Sequence, residues 1–164
     1  MRQFYRLFPE RTAGLVVVDG ALRAFFDDPK EADAFLDPLR SKDYLASATT
    51  FVDRMLPPLV SATNRAHIRR VILATPQRTM VEGMQAALDP AIWREDKITV
   101  PVLVVLARSP FWDDEYEAFV RALCPDVEYE MLDGCSHFVM LDKPAEFNAL
   151  LTQFLERRSL VTTR

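Results

Sequence analysis

Glycine is scarce in this chain: Gly14, Gly20, Gly83 and Gly134 are the only four among 164 residues. They form neither a Gly-x-Gly-x-x-Gly nor a Gly-x-x-x-x-Gly-Lys pattern, which excludes the dinucleotide fingerprint and the phosphate-cradling loop and implies no cofactor. Cysteine is scarcer still. Cys124 and Cys135 cannot build a disulfide framework, and the opening MRQFYRLFPE holds no apolar run long enough for a secretory signal, so the expected setting is cytoplasmic. With His67 and His137 the only histidines, no metal-ligand cluster is present in the sequence and no metal is expected. Neither charge sign dominates. The 20 basic and 24 acidic residues are spread without runs, so neither a nucleic acid nor an anionic membrane surface is an expected partner. The longest apolar runs are of strand length, short of the roughly 20 residues that span a bilayer.

What the chain does have is apolar content. A hydrophobic fraction of 49% can bury a core for one domain, or a domain plus an insertion. GLVVVDG (14–20) and ITVPVLVVLA (98–107) are continuous β-branched and leucine runs, as expected for strands covered on both faces of a parallel sheet. VEYEMLDG (127–134) is more mixed and suits a sheet edge. Between the second and third runs, Tyr116, Phe119, Val120 and Leu123 recur at helical spacing until Pro125 stops them. After the third, Pro144 is placed to start a helix whose stripe is Phe147, Leu150, Leu151, Phe154 and Leu155. The expected fold class is α/β: a partial doubly wound, mostly parallel sheet of about three strands, with right-handed crossovers.

Residues 21–96 are too many for a simple crossover. They hold helical patterns such as DYLASATTFVDRML and SATNRAHIRRVIL, broken at Pro57-Pro58, Pro76 and Pro90. This segment reads as an inserted helical cap, leaving residues 1–20 and 97–164 to form the core. Phe25, Phe26, Met55, Met80, Met84 and Trp93 are candidates to line an apolar pocket, although helical stripes also serve as plain core. Arg65, Arg69 and Arg70 fit a weakly anionic ligand or a solvated helix face equally well.

The ordered series resembles the α/β-hydrolase family over nearly the whole chain. FPERTAGLVVVDG is similar to the helix end and sixth strand that follow that family's nucleophile turn, 21–96 to its cap, and ITVPVLVVLA to its seventh strand. DGCSHFVMLDKPAEFNALLTQFL is similar to the end of its eighth strand, its histidine loop and its last helix. The most specific part is Gly-x-x-His-Phe followed by Lys-Pro-x-x-Phe. The resemblance implies that His137 is the general base of a hydrolytic triad, oriented by a carboxylate. His67 has no such context and reads as an exposed cap residue. Phe25, Met55, Met84, Trp112 and Phe138 are the implied substrate contacts, and the implied substrate is a small apolar molecule.

Two departures from the family pattern stand out. The nucleophile turn, Gly-x-Ser-x-Gly, needs two glycines four positions apart, and no pair here has that spacing. Cys135 and Ser136 adjoin His137, but neighbours on one tight loop seldom aim a nucleophile at the adjacent ring. The expectation is therefore a chain that starts downstream of the nucleophile, a truncated hydrolase inactive alone; the alternative is a non-catalytic small-molecule-binding or interaction module. The acid is also displaced, because Ser109 stands where a carboxylate after the seventh strand would be. Asp19, at the end of the sixth strand, is the first candidate acid. Asp113 and Asp114 are alternatives, although both are also placed to cap the next helix. A sixth strand paired on one side only would leave an edge open to self-association or to a complementary fragment.

Overall fold

The structure, a computed structural model, describes residues 1–161. The chain divides into two compact units, one built from Met1–Leu22 and the chain from Glu95 onward, the other from Arg23–Arg94.

The first unit holds a three-stranded parallel sheet in the order β1-β2-β3. Its strands are β1 (Leu15–Val18), β2 (Val102–Ala107) and β3 (Val127–Leu132). The register pairs Leu15 with Val102, and Val102 with Val127. β2 is central, and every one of its six residues is buried, as the uninterrupted VLVVLA run demands. Val102, Val104 and Leu106 face one side, where they join Leu15, Val17, Tyr5 of α1 (Arg2–Leu7), and Tyr116, Val120 and Leu123 of α6 (Asp114–Leu123). Leu103, Val105 and Ala107 face the other and meet Val139 of α7 (Val139–Asp142) with Phe147 and Phe154 of α8 (Pro144–Arg157). Helices thus cover both faces, the arrangement that buries period-two alternation on a fully internal strand.

The two outer strands are less covered. β1 alternates buried and half-buried residues, and β3 is half-buried throughout, which fits the mixed sequence VEYEML at an edge. β2 is shorter than the apolar run that contains it. Ladder pairing begins only at Val102, because Pro101 has no N–H to donate; its carbonyl accepts from Leu15 instead, and Ile98 donates to Leu123. β3 likewise ends at Leu132, two residues before Gly134. Gly14 marks a close approach at the entry to β1: a Cβ there would lie 3.2 Å from the Pro101 carbonyl oxygen and 2.9 Å from Leu160.

The second unit is all helical: α2 (Pro29–Arg40), α3 (Tyr44–Arg54), α4 (Ala62–Leu73) and α5 (Gln77–Ala87). Asp28 and Ser61 cap α2 and α4 by accepting from Lys30 N at 2.9 Å and Asn64 N at 3.1 Å. α2 packs on α3 and α5, and α3 on α4. Leu36, Leu39, Ala48, Val52, Ile68 and Met80 supply its helical core. The joints are closed by side chains reaching backbone carbonyls: Arg65 donates to Leu56 and Pro57 oxygens at 2.6 and 2.8 Å, and Gln77 to Leu39 and Ser41 at 2.9 and 2.8 Å. These bonds satisfy carbonyls that helix ends leave without partners. Among the described residues no helix is long and apolar enough to cross a membrane.

Candidate functional site

Asp19 sits one residue past the end of β1, with φ 42°. That left-handed backbone is costly for most side chains and tolerated best by glycine, asparagine and aspartate. It is held there by its own N–H, which donates to Val105 at 2.8 Å and continues the β1–β2 ladder by one residue. The carboxylate is 9% exposed and accepts three hydrogen bonds. Oδ1 takes the Ala107 N–H at 2.9 Å and the Trp112 indole N–H at 3.0 Å. Oδ2 lies 2.8 Å from Nδ1 of His137. Three hydrogen-bond partners satisfy this buried carboxylate.

An ionised carboxylate only accepts, so with Asp19 in that form Nδ1 supplies the proton of this bond, and a neutral ring then carries its lone pair on Nε2. Nε2 has no partner among the described residues, and the His137 side chain is 42% exposed. The ring of Phe138 meets it edge-on at 5.1 Å. The result is an imidazole pinned at one nitrogen and open at the other.

The structure separates the three candidate carboxylates. Asp113 caps α6 by accepting from Tyr116 N at 2.8 Å, and Asp114 is the first residue of that helix. Only Asp19, 118 positions away in sequence, contacts His137. Ser109 accepts from Phe111 N at 3.3 Å and belongs to the turn after β2. That turn delivers Trp112 to Asp19, so the indole N–H binds the carboxylate. Trp112 also packs on Tyr116, with ring centroids 4.7 Å apart. Tyr116 is 1% exposed, and its hydroxyl accepts from Leu22 N at 3.0 Å, which fixes the loop just beyond Asp19.

Neither neighbour of His137 is set up as a nucleophile. The Cys135 thiol is buried and points to the Leu132 carbonyl at 3.4 Å, and burial pushes its pKa up, keeping it protonated at neutral pH. Ser136, 3% exposed, gives its hydroxyl proton to Asp142 Oδ2 at 2.6 Å. The remaining predicted contacts lie in the helical unit. Phe25 is exposed and meets Trp93 edge-on at 6.4 Å, while Met55 and Met84 are half-buried. None of these three lines either of the two clefts described in this unit, one of about 540 Å³ walled by Phe26, Leu36, Arg40, Glu82 and Leu88, the other of about 630 Å³ between Pro58 and Arg69. His67 is exposed, 3.1 Å from Arg70. No cluster of three or more potential metal ligands occurs among the described residues.

Two parts of this site are not legible in local sequence. Nothing local shows that the Trp112 indole N–H meets a strand end far upstream. Asp142 is the second, since no helical spacing announces its tie to Ser136.

No protein-family model matches the sequence, and no curated protein matches it. Solved structures do. A thermophilic esterase aligns with TM-score 0.66 at 27% identity over 96% of this chain and 61% of its own. The enol-lactonase from Burkholderia xenovorans aligns with TM-score 0.74 at 17% identity, over 94% of this chain and 60% of its own. An N-acyl homoserine lactone degrading enzyme aligns with TM-score 0.61 at 25% identity, over 93% and 62%. The chain has the α/β-hydrolase fold, and it spans about 60% of the length of the structures it matches.

Proposed function

We propose that this chain carries the base and acid of a hydrolytic triad that acts on small, apolar carboxylic esters or lactones, and that the nucleophile lies outside these 164 residues. The observation that carries the reading is the 2.8 Å contact of His137 Nδ1 with Asp19, whose other oxygen is already bound by Ala107 and Trp112. In that role Nε2 takes the proton from the attacking nucleophile and later returns it to the leaving group, while Asp19 holds the tautomer and stabilises the imidazolium. The esterase and the lactone-degrading enzyme, at 27% and 25% identity, support a carbonyl substrate.

The helical unit is read as the cap, contributing Phe25, Met55 and Met84 to recognition of an apolar acyl or alcohol group, with Phe138 beside the base. The outer edge of β1 is read as the site where a complementary strand or a second copy adds. That edge has no described partner strand, and Phe4, Leu7 and Phe8 of the adjoining helical segment are exposed. Two buried free thiols suit a reducing cytoplasm.

The test pairs the chain with what it lacks. Alone, it is expected to hydrolyse p-nitrophenyl butyrate no faster than its His137→Ala variant. Fused to the nucleophile-bearing N-terminal portion of a matched esterase, it is expected to gain turnover that both His137→Ala and Asp19→Ala abolish. Turnover by the chain alone that disappears in His137→Ala would overturn the placement of the nucleophile; an inactive, folded fusion would overturn the hydrolytic reading.

A further inference from the structure

The backbone of His137 makes no hydrogen bond of its own among the described residues, yet the two residues that flank it are both tied to one side chain. Asp142 Oδ2 accepts from the Ser136 N–H at 2.8 Å and from the Ser136 hydroxyl at 2.6 Å. The same hydroxyl oxygen accepts the Phe138 N–H at 3.2 Å. Asp142 is itself anchored to the turn, since its N–H donates to the Phe138 carbonyl at 3.1 Å. These four bonds close a ring around the histidine: carboxylate to residue 136, hydroxyl to residue 138, carbonyl of 138 back to residue 142. Gly134 adopts φ 65° with open space around its Cα, and the Cys135 thiol makes only a sulfur hydrogen bond.

We propose that Asp142 is a positioning residue for His137, fixing through Ser136 the turn that aims Nδ1 at Asp19 and leaves Nε2 free to act. The inference rests on the reading of His137 as a general base. A histidine on a short loop has two side-chain torsions and several backbone ones to order before it meets a carboxylate from a distant strand. A charge-assisted acceptor that binds both hydrogen-bonding protons of the preceding residue removes most of that freedom at once. Ser136 is buried, so water does not replace Asp142 when it is removed. A merely structural helix-end role would stabilise the loop without controlling the state of the ring.

The histidine ring itself supplies the readout, and it needs no turnover. With only two histidines, ring ¹⁵N–¹H NMR of the full chain resolves His137 from the exposed His67, which serves as internal reference. The wild-type chain is expected to show His137 as a single Nδ1–H tautomer with a slowly exchanging ring proton. Asp142→Ala is expected to lose that resonance and average its tautomers, with the amide spectrum of the sheet unchanged. Ser136→Thr, which keeps the hydroxyl, is expected to retain the signature. An Asp142→Ala protein that keeps the wild-type His137 resonance overturns the proposal. Should that variant fail to fold, Ser136→Ala cuts the hydroxyl link alone, and its retention of the full signature overturns the proposal equally. An inactive esterase fusion, by contrast, would remove the hydrolytic reading and leave this ring signature where it was.

Discussion

The sheet unit and the helical unit spend their apolar residues differently. In the sheet unit β2 is buried along its whole length, and large side chains such as Tyr116 and Phe154 are 1% exposed or less. In the helical unit each helix buries only one or two residues of its stripe. A strand covered on both faces has no exposed position in which to accept variation, whereas a surface helix has three sides free. Rigid placement of a histidine and its carboxylate therefore falls to the sheet.

That contrast can be broken most severely at β2. Val104→Asp puts an unpaired charge at a fully buried position and is expected to cost on the order of 3–5 kcal/mol, abolishing the cooperative transition in urea denaturation followed by circular dichroism. Leu45→Asp, at a residue 61% exposed on α3, is expected to change stability by no more than about 0.5 kcal/mol. Equal losses at the two positions would erase the distinction.

At the end of β1 the expected effect is intermediate. Asp19→Ala strands the Ala107 and Trp112 donors and should cost about 1–3 kcal/mol. Asp19→Gly strands the same donors but relieves the left-handed backbone, so it should be about 1 kcal/mol more stable than the alanine variant in chemical denaturation. Identical stabilities would show that the φ of 42° carries no strain.

A smaller effect depends on pH. Hydrogen bonding to Arg157, with Arg158 alongside, holds the Glu128 carboxyl below its ordinary value of 4.5. A depressed folded-state pKa stabilises the fold above the unfolded value and loses that contribution as pH falls through the folded one. Wild type should thus exceed Glu128→Gln by about 0.5–1 kcal/mol at pH 7, and the two melting curves should converge as pH falls through the lowered carboxyl. A constant difference across that window would remove the ion pair as its cause.

The smallest perturbation is chemical. Burial pushes the Cys124 thiol up to about 11 and raises Cys135 as well, so both should resist iodoacetamide at neutral pH until the chain is denatured, as read by mass spectrometry. Rapid labelling of Cys135 in the native protein would reveal an open histidine loop.

Much of the fold was legible because its signals are local. Three apolar runs of strand length, helical stripes between them and prolines at the breaks mark the elements to within a few residues. The errors came where an apolar run outlasts its pairing, as at Ile98–Val100, since hydrophobicity cannot report a missing N–H at Pro101. Of the site, the Gly-x-x-His-Phe loop stands out as a short motif. Its partners do not: Asp19 reads as the start of an Asp-Gly turn, Trp112 as an apolar contact, and Asp142 as one more acid on a short helix.

The sequence by itself determined which segments form strands and helices and which histidine sits on a strand-to-helix turn, because periodicity, proline and glycine act within a few residues. Only the tertiary structure decided which carboxylate faces that histidine. Asp19, Asp113 and Asp114 are chemically alike and each ends or begins an element. The choice follows from parallel pairing of β1 with β2, which brings the end of β1 beside Ala107, Trp112 and a loop 118 residues downstream. Proximity of that kind is a property of strand order, and no local pattern encodes it.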